Sequence, residues 1–278
     1  MTSYLVPILS MGAIGAVLAT ILVIADQRLK GKEDLKVAAV MEILPGANCG
    51  ACGLPGCRQF AEKVAAGEME PTDCTAGGPD VAQLVGEALG VEVEVGLPKK
   101  ARVLCLGGKE QCGRRAEYQG VTDCRAAHLL SGGDKNCIYG CLGYGSCVTV
   151  CPFAAIKINE NGLPEVDDNL CTGCGLCVDA CPRKLMSMET EETQVLVACS
   201  SPEKGKAVKS ICSLGCIGCS LCVKVCPRDA VVMEKNLPVI DDEKCDGCGI
   251  CIEKCPTDTL LTHTVLGKIK ALDKDEAI

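Results

Sequence analysis

The strongest hydrophobic signal in the sequence is an uncharged run of 22 residues near its start, from Tyr4 to Ala25. As an α-helix the run would extend about 33 Å, which exceeds a hydrocarbon core of about 30 Å. It therefore predicts a transmembrane anchor, with residues 1–28 as the first domain. Positive charges follow the run and none precede it, which places the remainder on the cytoplasmic side of the cell membrane; these residues are Arg28, Lys30, Lys32 and Lys36.

After the anchor the pattern changes to short apolar segments separated by Gly, Pro and Cys. The period of RQFAEKVAAGE after Cys57 is helical and predicts a small helical domain over residues 29–95. The pairs AAIKI with LPEV and AVVM with LPVI predict two short hairpins, and VEVEVGLP and ARVLCL predict further strands. The fold class is therefore α+β, with ferredoxin-like modules at residues 96–190 and 191–278.

An internal repeat supports the division into two modules. The segment LPEVDDNLCTGCGLCVDACP from Leu163 recurs as LPVIDDEKCDGCGICIEKCP from Leu237. Upstream, the spacing Cys124-x12-Cys137-x3-Cys141 recurs as Cys199-x12-Cys212-x3-Cys216. Two such matches at nearly the same offset indicate two copies of one structural unit.

Cysteine is the unusual feature of the composition. The chain has 25 Cys but no Trp, two Phe and four Tyr, so aromatic packing does not dominate its core. Disulfides, zinc and iron–sulfur clusters are the three uses of so many cysteines. No cleavable signal peptide is predicted, which disfavours disulfides, and the net charge of −8 argues against nucleic acid as a partner.

The cysteine spacings favour iron–sulfur clusters over zinc. In the bacterial ferredoxin run CxxCxxCxxxCP, three thiolates hold one [4Fe–4S] cluster and the fourth holds its neighbour, whereas zinc sites pair two CxxC units around one ion. Three such runs and one variant occur in succession. They are Cys171, Cys174, Cys177 and Cys181; Cys216, Cys219, Cys222 and Cys226; Cys245, Cys248, Cys251 and Cys255; and the variant Cys137, Cys141, Cys147 and Cys151.

Crossed ligation of these runs predicts two clusters in each module. The expected sets are Cys137, Cys141 and Cys147 with Cys181; Cys171, Cys174 and Cys177 with Cys151; Cys216, Cys219 and Cys222 with Cys255; and Cys245, Cys248 and Cys251 with Cys226. A glycine-rich N-terminal group predicts a fifth cluster, with four-cysteine zinc as the alternative; it consists of Cys49, Cys52, Cys57 and Cys74.

Five cysteines remain after this assignment, namely Cys105, Cys112, Cys124, Cys199 and Cys212. Four of them predict a sixth cluster and leave one over, while free structural cysteines are the other interpretation. The repeat aligns Cys219 with Tyr144, so Cys137 is expected to replace the missing thiolate in the first copy. The sequence does not say which of the five would bind.

Residues other than cysteine offer no catalytic site. The two histidines, His128 and His263, are expected to be surface or packing residues, and no phosphate-binding or dinucleotide-binding motif occurs. The predicted chemistry is electron transfer. A basic segment is either a solvated face or a docking patch for an acidic redox partner; it contains Lys99, Lys100, Arg102, Lys109, Arg114 and Arg115.

Taken together, the anchor, GANCGACGLPGC, RAEYQGVTDCRAA, NCIYGCLGYGSCVTVCP and the ferredoxin runs resemble the B subunit of the Rnf complex over essentially the whole chain. That complex is a membrane-bound, ion-translocating ferredoxin:NAD oxidoreductase. The resemblance implies an electron-transfer subunit that takes electrons from ferredoxin and passes them to partner subunits carrying flavins and the NAD site, coupled to Na⁺ or H⁺ transport.

The repeated unit departs from shorter members of that family, which have fewer ferredoxin motifs. A membrane-anchored polyferredoxin serving another redox enzyme is therefore one alternative, and a zinc-stabilised scaffold is another. In the leading interpretation the chain acts as one subunit of a translocase and carries no complete active site of its own.

Overall fold

The computed structural model describes residues 2–29, 35–190 and 192–262 of the chain. Lys30, Lys32 and His263, on which two of the predictions depend, lie outside these ranges. Helix α1 spans Thr2–Leu29, and its apolar side chains between Met11 and Ile24 are 50–77% exposed. Among the described helices, none is both long and apolar enough to pass through a membrane.

Three helices and one 3₁₀ turn follow α1 and share a small core. They are α2 (Leu35–Ile43), α3 (Cys57–Ala65), the turn Pro71–Asp73 and α4 (Gly78–Leu89). Helix α3 confirms the helix predicted after Cys57, and it buries Phe60 and Val64 against Val40 and Val85. Its outer face carries the ion pair Arg58–Glu62 at 3.2 Å.

Two modules with the same order of elements make up the rest of the described chain. Each consists of one strand, two short helices, a hairpin, a third helix and a closing strand. The first contains β1 (Lys99–Val103), α5 (Cys124–Leu129), α6 (Ser146–Thr149), β2 (Ile156–Ile158), β3 (Pro164–Val166), α7 (Leu176–Ala180) and β4 (Met186–Thr190); the second contains β5 (Val195–Val197), α8 (Gly205–Ile211), α9 (Leu221–Val225), β6 (Val231–Glu234), β7 (Leu237–Ile240), α10 (Ile250–Glu253) and β8 (Leu260–Thr262).

The strands form four two-stranded antiparallel sheets, two in each module. The outer strands pair as β1 with β4 and β5 with β8, and the inner hairpins pair β2 with β3 and β6 with β7. Ile156 lies opposite Val166 and Val231 lies opposite Ile240. These pairs confirm both predicted hairpins.

The strand predicted in VEVEVGLP is wrong, because residues 91–98 contain no strand. The Val91 amide donates to the Gly86 carbonyl at 2.9 Å, and a Cβ at Gly86 would lie 2.4 Å from Val93 Cγ2. The segment therefore folds back on α4 and uses Val93 for packing there. The strand predicted from ARVLCL is present as β1, which begins at Lys99 and ends at Val103.

The two modules meet at a junction between residues 104–112 and residues 196–214. Leu106 packs with Leu196, Ala198 and Leu261, and its amide donates to the Ala198 carbonyl at 3.2 Å. An isolated antiparallel bridge joins Cys112 to Cys212 in the same region. The junction therefore brings cysteines from both copies of the repeat together.

Candidate iron–sulfur sites

The N-terminal thiol group forms where a glycine-rich loop meets the start of α3. Cys49, Cys52, Cys57 and Cys74 line one cavity. Gly50 and Gly53 have φ values of +73° and +81°, a conformation that glycine adopts without strain, so the loop can curl around the cavity. Burial raises the pKa of the Cys74 thiol, and the three neighbouring thiols raise it further.

Similar tight loops present the thiols of the ferredoxin runs. At Gly173, φ is +76° and an added Cβ would lie 2.3 Å from the Lys99 carbonyl oxygen. Only glycine fits there, and it allows β1 to lie directly over the loop. The Ala101 amide consequently donates to Cys171 Sγ at 3.5 Å, which is the kind of N–H to sulfur contact found around cluster thiolates.

Three of the crossed groups have their thiols close together in the structure. Burial raises the pKa of Cys177 to about 12, with Cys171 and Cys174 adding to the rise. Burial also raises the pKa of Cys174, and Cys49, Cys151 and Cys171 add to that rise. In the second module one cavity is lined by Cys216, Cys219, Cys222 and Cys255. Burial likewise raises the pKa of Cys251, and the neighbouring thiols of Cys245, Cys248 and Cys226 raise it further.

The fourth group differs from the prediction in one member. Cys141, Cys147 and Cys181 line a cavity together with Cys124, and Cys137 lies in a different cavity. Burial raises the pKa of Cys147 to about 11, and Cys124 and Cys181 are the thiols that add to it. The structure therefore places Cys124 where the spacing had suggested Cys137.

Local contacts explain why Cys124 reaches this cavity. Asp123 caps α5 by accepting hydrogen bonds from the Arg125 and Ala126 amides, a common role for aspartate. Ser146 Oγ donates to Asp123 Oδ2 at 2.8 Å and accepts from the Cys124 amide at 2.7 Å. This bridge holds the start of α5 against the start of α6, beside Cys147.

Tyr144, which stands where the second copy has Cys219, points to a polar cluster instead. Its hydroxyl donates to Asp134 Oδ2 at 2.8 Å and accepts from Arg114 at 2.8 Å. The repeat contained a signal for this exchange: the copy that lacks one loop cysteine has Cys124 available upstream. Spacing alone favoured the other upstream candidate, Cys137.

The five remaining cysteines all line one cavity at the junction. These residues, called the junction thiols below, are Cys105, Cys112, Cys137, Cys199 and Cys212. The cavity has a volume of about 190 Å³. Cys112 and Cys212 face each other across the bridge; their interaction lowers the pKa of Cys112 and raises that of Cys212. The junction thus gathers one more thiol than a four-cysteine cluster needs.

Three contacts join neighbouring thiol groups. Thr75 Oγ1 donates to the Cys174 carbonyl at 3.4 Å, so the N-terminal group adjoins the first module. The Cys141 amide donates to Cys105 Sγ at 3.4 Å. Burial raises the pKa of Cys199, and the Cys216 backbone beside its thiol lowers it. The junction thiols therefore lie between a thiol group of the first module and one of the second.

The residues present fit iron–sulfur clusters. All 25 cysteines are free of disulfide bonds, and the thiols of four groups line cavities together with glycine and apolar side chains. Arg183 Nε lies buried beside two of these groups with no hydrogen-bond partner in the part of the chain that is described. Within the same ranges, no three His, Cys, Asp or Glu side chains are grouped so as to hold a single metal ion.

The basic segment is neither a simple solvated face nor an open patch. Lys100 Nζ donates to the Cys171 carbonyl at 2.6 Å, and Arg114 pairs with Asp134. Arg115 donates to the Ser131 and Gly133 carbonyls. Arg102 is 2% exposed and pairs with Asp168 at 2.5 Å and 3.1 Å. Most of these charges therefore stabilise the loops of the first module.

Replacing Arg102 tests this structural role. We expect Arg102→Gln to lower the free energy of unfolding by about 2–3 kcal/mol, below the loss for a fully buried pair because Asp168 is partly exposed. The Lys109→Gln variant, at an exposed position, is the control and should change the free energy of unfolding by less than about 0.5 kcal/mol. Anaerobic denaturant titration measures both, and equal effects would contradict the role of Arg102.

Matches to known protein families coincide with the thiol groups. Residues 44–76 match a family described as an Fe-S cluster family. Residues 136–185 and 215–259 match a 4Fe-4S dicluster domain, and residues 170–231 match a second 4Fe-4S dicluster family. Both modules therefore contain ferredoxin-like [4Fe–4S] domains.

Whole-chain relatives share one designation, that of a B subunit. The B subunit of the Na⁺-translocating ferredoxin:NAD⁺ oxidoreductase complex of Acetobacterium woodii is 45% identical, over 88% of this chain and 73% of its own. The B subunit of the ion-translocating oxidoreductase complex of Methanosarcina acetivorans is 40% identical, over 84% and 89%. The B subunit of the proton-translocating ferredoxin:NAD⁺ oxidoreductase complex of Clostridium ljungdahlii is 39% identical, over 87% and 85%.

Proposed function

Since this chain belongs to the family of B subunits of ion-translocating oxidoreductase complexes, we propose that it takes electrons from reduced ferredoxin and relays them to the other subunits of such a complex. The relay serves NAD⁺ reduction coupled to Na⁺ or H⁺ transport. The observation that carries the proposal is that neighbouring thiol groups adjoin one another, because electron relay requires closely spaced redox centres along the protein.

Five clusters are assigned to the groups outside the junction. The ligand sets are Cys49, Cys52, Cys57 and Cys74; Cys124, Cys141, Cys147 and Cys181; Cys151, Cys171, Cys174 and Cys177; Cys216, Cys219, Cys222 and Cys255; and Cys226, Cys245, Cys248 and Cys251. The shared cavities and the mutual effects of the thiols support these sets. When bound, such clusters accept and release single electrons.

A sixth cluster is assigned to the junction thiols. Four of the five hold it. The candidate ligands now include Cys137 instead of Cys124, which the sequence analysis had counted among the five. The cavity supports this assignment because it collects thiols from both modules and because Cys105 and Cys199 each contact a neighbouring thiol group. The fifth thiol remains beside the cluster.

The transmembrane anchor and the domain limits at residues 28, 95 and 190 are part of the same proposal. The uncharged run from Tyr4 to Ala25 supports the anchor, as do the exposed apolar side chains between Met11 and Ile24. The bulk of the chain then lies on the cytoplasmic side, where thiols stay reduced.

Anaerobic purification with metal and sulfide analysis tests the proposal. We expect about 24 iron atoms per chain, four for each of six clusters, with equal acid-labile sulfide, and we expect flavin-containing membrane subunits to co-purify. The purified complex should oxidise reduced ferredoxin. Each expected result depends on clusters that occupy the six thiol groups.

Two results would contradict this function in different ways. Iron–sulfur protein that co-purifies with another redox enzyme and no flavin-containing membrane subunit would favour an anchored polyferredoxin. Zinc without iron or sulfide would favour a structural scaffold.

A further inference from the structure

Two cations of the first module, Lys135 and the partly buried Arg183, lie between the junction thiols and the thiol group that contains Cys141. Lys135 is 5% exposed, and its ammonium group donates to the carbonyl oxygens of Gly107 and, at 2.7 Å, Cys141. In the described ranges no carboxylate pairs with it. The positive charge of Lys135 is therefore compensated only by carbonyl dipoles and by whatever negative charge the nearby thiol groups carry.

Arg183 is the second cation. Its guanidinium donates to the carbonyl oxygens of Gly132 and Gly140 and, at 3.0 Å, of Cys137. It also lines the cavity that contains Cys141. Like Lys135, it has no carboxylate partner among the described residues, and its Nε is buried without a hydrogen bond. The guanidinium thus lies between the junction thiols and the group that contains Cys141.

Burial of an unpaired cation is costly unless an opposite charge compensates it. Four thiolates around a [4Fe–4S] core give a net negative site, and each electron added makes it one unit more negative. A fixed positive charge beside such a site stabilises the reduced state, and the effect is large where water is excluded. Lys135 and Arg183 are therefore placed to favour electron occupancy.

The second copy of the repeat has neutral residues at the positions of these two cations. Ser210 occupies the position of Lys135 in the second copy, and Thr257 occupies that of Arg183. Thr257 is 6% exposed and forms a neutral hydrogen bond with Thr259 at 2.8 Å. The two copies thus differ in charge at both positions. The setting is shared only at Arg183 and Thr257, because Ser210 lies exposed in α8.

We propose that Lys135 and Arg183 raise the reduction potentials of the cluster at the junction thiols and of the adjacent cluster that includes Cys141, relative to the clusters of the second module. The inference rests on the proposed function, because it requires clusters at these two groups. Both residues act through charge and position and bind no substrate.

Redox titration of the full-length protein, followed by low-temperature EPR, tests the inference. We expect Lys135→Gln and Arg183→Gln each to shift one or two midpoint potentials to lower values while the other clusters titrate as in the wild type. Lys135→Arg should retain the wild-type potentials because it retains the charge. Lys157→Gln is the matched control, since Lys157 belongs to the same module and its side chain is 75% exposed.

Iron analysis of the same samples separates the possible outcomes. Unchanged midpoint potentials in both glutamine variants with full iron content would overturn the inference and leave the proposed function intact. Loss of one cluster in both variants would also overturn it, since the two residues would then serve assembly. Wild-type protein without iron would contradict the proposed function itself.

Discussion

Removal of iron and sulfide from the anaerobically purified protein should abolish cooperative unfolding of the two modules. Their strands contain three to five residues and pair only two at a time, and isolated two-stranded sheets are marginal in water. Cysteines make up part of each module core, including Cys147, Cys171 and Cys177 in the first. Without clusters, little apolar area remains to offset chain entropy.

The expected loss is therefore on the order of the whole stability of a small domain, about 5–15 kcal/mol. Circular dichroism during thermal melting, before and after anaerobic chelation, measures it. Protein incubated with chelator under conditions that leave the iron bound is the control, and restoring iron and sulfide to the stripped protein should return the transition. A sharp transition that persists in iron-free protein would show that side-chain packing alone is sufficient.

The local parts of the structure could be predicted from the sequence because local patterns determine them. The Cys-Pro dipeptides and the short apolar pairs indicated both hairpins, and the helical period after Cys57 indicated α3. The failed strand at residues 91–98 had alternating valines as well. It lacked a partner strand, and Val93 found a packing site on Gly86 instead, a tertiary contact that alternation does not encode.

The cysteine spacing could not predict the exchange of Cys124 and Cys137, for a similar reason. Spacing says which cysteines are near each other along the chain, whereas the Asp123–Ser146 bridge and the Cys112–Cys212 bridge decide which ones meet in space. The repeat identified Tyr144 as the position that lacks a cysteine, and spacing assigned Cys137 as its replacement. The sequence also gave no sign of the two cations beside the thiol groups, because Lys135 and Arg183 look like ordinary surface residues in it.

Cysteine variants that distinguish Cys124 from Cys137 should give opposite results for iron content. The starting point is Cys105→Ser combined with Cys112→Ser, which leaves three junction thiols, too few for a four-thiolate cluster. We expect this variant to hold about 20 iron atoms per chain, one cluster fewer than the wild type. In this background no surplus junction thiol is left to replace a missing ligand. Any further loss of iron can therefore be assigned to another thiol group.

Adding Cys137→Ser to that background should remove no more iron, because Cys137 belongs to the cluster already lost. Adding Cys124→Ser should instead lower the content to about 16 iron atoms, or yield a three-iron cluster with its own EPR signal, because the group of Cys141, Cys147 and Cys181 then lacks a thiolate. Cys199→Ser, at the position equivalent to Cys124 in the repeat, serves as the matched control and should behave like Cys137→Ser. The reverse result, with the second loss caused by Cys137→Ser, would restore the ligand set expected from spacing.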